Sequence, residues 1–207
     1  ALRPAPSGSR AGGVDVGEAV ASGGAADVRS THASLGDAKG PVSHYVVAWM
    51  TTREVTLQRT DLYPAPAGGA RLAVRRHRVK PEGAALFGGC QDGAPAEPGC
   101  VQVLPAGEMP VLPALTAKQD ISAYGYWAVY EPASNGAYFL GELSKIVHVS
   151  PQRFTQVLVQ GDGPCGLTIG VKGGEGEQVT VAAVDPEGIV HISTATVGST
   201  RRSEISM

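Results

Sequence analysis

Two cysteines bracket the loop "FGGCQDGAPAEPGC", and thiols at that spacing can do one of three things. Cys90 and Cys100 flank "QDGAPAEPG", a linker of small residues and prolines flexible enough to bring both sulfurs within bonding reach. A bridge closing so short a loop stabilises by roughly 2–3 kcal/mol in the chain-entropy treatment and points to an oxidising compartment. Two free thiols are the alternative. Zinc is the weakest fit, because C-x9-C brings no second ligand pair at metal spacing. The third cysteine, Cys165 in "GDGPCGLT", reads as a buried residue.

Other residues of chemical interest lie in short clusters. "RRHRVK" puts Arg75, Arg76, Arg78 and Lys80 close together, a candidate site for sulfate, phosphate or an acidic polysaccharide. Cations on both faces of a strand equally suit an edge guarded against aggregation. "GDGPCG" has the form G-x-G-x-x-G, but the alternating "LTIGVK" follows it where a phosphate loop needs a helix N-terminus, so it reads as a turn. "GGEGEQ" supplies too few oxygens for calcium and reads as a solvated turn. His32, His44, His77, His148 and His191 stand on separate segments with no metal-ligand spacing, so no metal is expected. Asp61, Asp120, Glu131 and Glu142 are available as acids, yet no spacing singles out a catalytic pair. Neither G-x-S-x-G nor H-E-x-x-H occurs, and no cofactor motif does.

Aromatic residues gather around one hairpin: Tyr124, Tyr126, Trp127, Tyr130 and Tyr138, with Phe139 beside them. Along a strand Tyr124, Tyr126 and Ala128 share a face, while Trp127 and Val129 take the other. One set fills a core. The other set either does the same or forms an exposed platform for a sugar ring or a partner's pocket.

The elements that must hold these residues are strands. Glycine, at 28, and proline, at 15, are abundant among the 207 residues, which suits a turn-rich β protein. "HYVVAWM", "EVTLQRTDLY", "RLAVRRHRV", "FTQVLVQ", "GLTIGVK", "QVTVAAV", "IVHISTATV" and "RSEISM" are parted by Gly, Pro or Asp at the spacing of a sandwich or barrel. "ASNG" and "VDPEGIV" mark turns, with Asn-Gly and Gly188 supplying positive φ. Prolines in "VQVLPAGEMPVLPAL" forbid a central strand there. The expected fold is an all-β antiparallel sandwich over residues 43–207.

Residues 1–42 differ, being rich in Ala, Gly and Ser and free of aromatics. They form an extended arm, lying along this domain, donated as a strand to a neighbour, or disordered. A net charge of −2 gives no general attraction to nucleic acid or anionic lipid, and no apolar run is long enough to span a bilayer. The start at Ala1, without a basic-then-apolar leader, reads as a mature product or a fragment.

From residue 44 to about 200, "VTLQRTDLYP", "LAVRRH", the C-x-D-G-A-x-A-x-x-G-C loop, "NGAYFLGELSKIVHVSPQRF" and "GGEGEQVTVAAVDPEGIV" follow one another in a familiar order. This series resembles the C-terminal antiparallel β-sandwich domains of multidomain glycoside hydrolases. The resemblance implies a secreted, carbohydrate-associated module without catalytic residues of its own.

Three functions follow as expectations. The first is a secreted non-catalytic module that binds carbohydrate or self-associates as a structural subunit, with a filament built by strand donation as one form. The second is a polysaccharide hydrolase or a fragment of one. The third is a lumenal subunit of a larger organellar complex.

Overall fold

Alternation decides the strands, and what covers their faces decides the architecture. The computed structural model describes residues 19–20, 27–35, 41–49, 54–76, 101–112, 124–142, 144–145 and 147–207. A first sheet runs in the order β1 (Ala19–Val20), β2 (Asp27–Ser34), β3 (Val42–Trp49), β8 (Tyr124–Tyr130), β5 (Ala73–Arg76) and β6 (Val101–Val103). A second holds β13 (Val190–Thr196), β12 (Gln178–Val184) and β9 (Tyr138–Gly141). A third holds β10 (Phe154–Val159), β11 (Leu167–Lys172) and β14 (Arg202–Ser206), and β4 (Val55–Thr56) pairs with β7 (Val111–Leu112). Every pairing is antiparallel.

The all-β expectation holds, and the sheets stack one behind another. Phe139, Val179, Val181 and Ala183 of the second sheet meet Phe154, Leu167, Ile169, Val171 and Ile205 of the third. Phe139 and Phe154 make the central contact edge to face, with centroids 5.0 Å apart. Tyr138, Leu140, Ala182 and Val184 point the other way, onto Tyr45, Ala73, Tyr126, Ala128 and Tyr130 of the first sheet. The far side of that sheet, with Val46, Ala48, Trp127 and Val129, is covered by Leu57, Leu62, Leu72 and Leu112 from the β4–β7 region. Two faces buried explain "QVTVAAV": its C-terminal half is apolar at consecutive positions, not alternate ones.

The N-terminal segment joins the fold through β1, which pairs with β2 at Ala19↔Ser30 and Val20↔Arg29. β2 pairs with β3 along all eight residues, from Asp27↔Trp49 to Ser34↔Val42, so it lies along its own domain. Ala33 and Leu35 then enter the two cores on either side of the second sheet. The Tyr45 hydroxyl ties the layers together: it accepts from the Val149 N–H at 2.8 Å and donates to the Val149 carbonyl at 3.1 Å.

"GDGPCG" is the turn joining β10 to β11, with Gly166 at φ +59°. "RRHRVK" does not begin on an edge. In its described part Arg75 and Arg76 of β5 pair with β8, and Arg75 is also flanked by Val101 of β6, because "VQV" at 101–103 supplies the outer strand.

Candidate functional site

The β9–β10 connection runs over residues 142–153, and its closure near Gly141 frames a groove. β9 ends at Gly141, whose φ of +82° turns the chain. The Glu142 N–H then donates to the His148 carbonyl at 2.9 Å, closing the loop. A Cβ at position 141 would stand 2.3 Å from that carbonyl oxygen, so only glycine fits.

Against β11 this loop frames a groove of about 440 Å³, with Glu142, Lys145, His148, Gln152, Arg153 and Lys172 among its lining residues. Arg153 organises the floor. Its Nε donates to Glu142 at 2.9 Å, one terminal nitrogen donates to the Lys172 carbonyl at 2.8 Å, and the other bonds Glu177 at 2.5 Å. Hydrogen bonding to Glu177 raises the Arg153 pKa against the opposing effect of burial, and the charge and hydrogen bond of Glu142 add to the rise. The same guanidinium, with the Gly174 N–H, holds the Glu177 carboxyl down at about 2. Lys145, more than half exposed, stands 3.9 Å from Glu142.

Behind the groove lies a buried polar chain. Arg75 donates to His148 Nε2 at 3.0 Å, and His148 Nδ1 lies 3.0 Å from the Tyr130 hydroxyl. Burial lowers the Arg75 pKa, opposed by Tyr130 and Tyr126, and burial raises that of Tyr130. His148 therefore forms the back wall of the groove, oriented from inside the protein.

Comparison with protein-family models, curated proteins and solved structures finds no match for this chain.

The residues singled out in the sequence fall mostly elsewhere. Tyr126, Trp127, Tyr130 and Tyr138 are buried, so the expectation of an exposed aromatic platform is corrected for these four. The strand alternates as expected, but the second sheet covers one of its faces and the β4–β7 region covers the other. Tyr124 belongs to β8, and its side chain lies outside the described residues. Arg75 is corrected likewise: it is 2 % exposed and serves as an internal donor, not as a surface anion site. The side chain of Arg76 lies outside the described residues, as do Arg78 and Lys80 and the pair Cys90 and Cys100. Cys165 is buried, and burial pushes its thiol up to about 11.

The remaining acids and histidines form separate pairs. His44, fully buried on β3, bonds Glu131 at 2.9 Å through Nε2. His191 bonds Asp185 at 2.7 Å. Burial raises the Asp185 pKa, but the His191 bond and the Ile189 and Glu187 N–H groups outweigh it, and the net shift is downward. Asp61 accepts from the Gln58 N–H, and Asp120 lies outside the described residues. Among the described residues no three His, Cys, Asp or Glu side chains are grouped to hold a metal.

Sequence reasoning flagged Glu142 and His148 but missed Lys145, Gln152, Arg153 and Lys172. One signal was available. "GELSKIVHVSPQRF" is a polar, chemically varied connection between two strands, where a bare turn would need fewer residue types.

Proposed function

We propose that this chain is a secreted, non-catalytic β-sandwich module that binds carbohydrate in the Glu142–Lys172 groove. The observation that carries the reading is the lining itself: hydroxyl, amide, ammonium and carboxylate groups share one open groove whose walls are tied to strands. Sugars present a dense array of hydroxyls, and fixed donors and acceptors of both kinds complement them. Hydrolysis would need a second acid facing the first across the bond. Glu142 is the carboxylate in the lining, and it is held by Arg153. Secretion rests on the Cys90–Cys100 spacing and on the resemblance to domains of secreted glycoside hydrolases.

Isothermal titration with a panel of oligosaccharides, followed by reducing-end assay of the same samples, tests the reading. Binding without new reducing ends is the expected result. Release of reducing ends that Glu142→Gln abolishes would replace it with the hydrolase.

Assembly by strand exchange is a second reading, favoured by the placement of β2. That strand is held by β3 over eight residues, while the outer neighbour β1 spans two. The β2 of a second copy could take the same place. Concentration-dependent dimers or fibres in light scattering are expected from this reading, and a monomer at every concentration removes it.

A further inference from the structure

Lys172, in the lining of the groove, has a charged neighbour outside it. On the outer face of the third sheet Lys172 stands directly opposite Arg202 in the β11–β14 register. Arg202 lines a second depression of about 330 Å³, together with Thr155, Gln156, Gly170, Ser203 and Glu204. A register shift between Phe154 and Gln156 brings Thr155 against Gly170, where an added Cβ would lie 2.3 Å from the Thr155 hydroxyl. Gly170 therefore leaves room for the Thr155 side chain, and Lys172 of the first groove stands opposite Arg202 of the second in the strand register.

That pair is a poor choice for stability. Like charges directly opposite on neighbouring strands repel, and opposite charges would have stabilised the same position. The residue before it repeats the pattern. Arg201 has φ +57° and is the one non-glycine residue with positive φ among the described residues, in a place that Gly or Asn fills at lower cost. Its carbonyl accepts from the Gly173 N–H at 3.3 Å, which locks this turn to the wall of the first groove. Lys145, Arg153, Lys172 and Arg202 line the two grooves, against the carboxylates Glu142 and Glu204 and with Glu177 bonded to Arg153 beside the lining. This cationic excess sits on a chain of net charge −2.

We infer that the two grooves form one track for a linear anionic glycan, whose carboxylate or sulfate groups bridge Lys172 and Arg202. The inference rests on the carbohydrate reading and narrows it to a charged class. The track residues include no Phe, Tyr or Trp to stack on bases, and the His148 ring is buried, while Gln152, Gln156, Ser150 and Ser203 offer hydroxyl and amide partners. A polysaccharide fits this lining better than a single-stranded nucleic acid does.

The test is titration of the full chain with a galacturonate tetramer, a sulfated galactose tetramer, a neutral galactose tetramer and a thymidine octanucleotide. An anionic tetramer should bind at least about tenfold more tightly than the neutral one, with affinity falling as salt is added. The uronate and sulfate arms identify which anion is preferred. Lys172→Gln and Arg202→Gln should each weaken anionic binding roughly tenfold. Neither should lower the melting temperature, since each relieves the repulsion. Equal binding of neutral and anionic tetramers overturns the anionic track and leaves the carbohydrate reading intact. Unchanged anionic binding in both variants, or a tighter grip on the octanucleotide, overturns it as well. Failure of every glycan to bind removes the carbohydrate reading itself.

Discussion

Arg75 donates a hydrogen bond to His148 Nε2 at 3.0 Å in the protein interior, and this contact decides the state of the imidazole. Guanidinium has donors only, so Nε2 must accept, and the ring proton must sit on Nδ1. From there it is donated to the Tyr130 oxygen, 3.0 Å away. Nitrogen-15 correlation spectra should therefore show His148 as a neutral Nδ1–H tautomer, and an Nε2–H signal would contradict the arrangement. Replacing the ring by His148→Phe removes the acceptor of a charged donor and should cost about 1.5–3 kcal/mol in chemical denaturation.

Gly141 is the second point of control. At φ +82°, with the His148 carbonyl 2.3 Å from any added Cβ, alanine must force the loop apart. Gly141→Ala should destabilise by about 2–4 kcal/mol, combining the left-handed penalty with a backbone clash. It should also weaken ligand binding, because Glu142 and His148 leave their places. A variant as stable as the parent would show that the loop closes in another way.

Acid stability should depend on Glu177. Arg153 and the Gly174 N–H bring its carboxyl from an ordinary 4.5 down to about 2. The unfolded chain then takes up this proton more readily than the folded one, so the stabilisation is complete above about pH 4.5 and fades as the pH falls toward 2. Denaturation curves of Glu177→Gln should lie below those of the parent near neutral pH and converge with them at the acid end. Parallel curves across that range would contradict the pairing.

Ala182 and Ile192 stand opposite each other on β12 and β13, yet they should respond in opposite ways. The first sheet lies over Ala182, which is fully buried, but leaves Ile192 exposed near the outer edge. Ala182→Leu should overpack the layer and cost about 1–3 kcal/mol. Ile192→Thr should stay within about 0.5 kcal/mol of the parent. Thermal melts of the two variants distinguish these outcomes.

Strand positions, turn residues and the all-β class were legible in the chain, because they depend on contacts between near neighbours. β-Branched and aromatic runs between turn residues located β8, β11 and β12, Gly136 and Gly188 adopt the positive φ that "SNG" and "PEG" require, and "GDGPCG" proved to be a turn. Alternation also sorted Tyr126 and Ala128 from Trp127 and Val129 correctly, but it carries no information on whether either face meets water. Only the stacking of sheets settled that: three layers bury both faces of β8, turning a candidate platform into core and Arg75 into an internal donor. The groove belongs to the same category. Glu142, Arg153, Lys172 and Arg202 are far apart along the chain, and antiparallel pairing of β11 with β14 and the Gly141 turn bring them to one surface. Local sterics write strands and turns into the sequence directly, whereas exposure and charge juxtaposition exist only once the layers have closed.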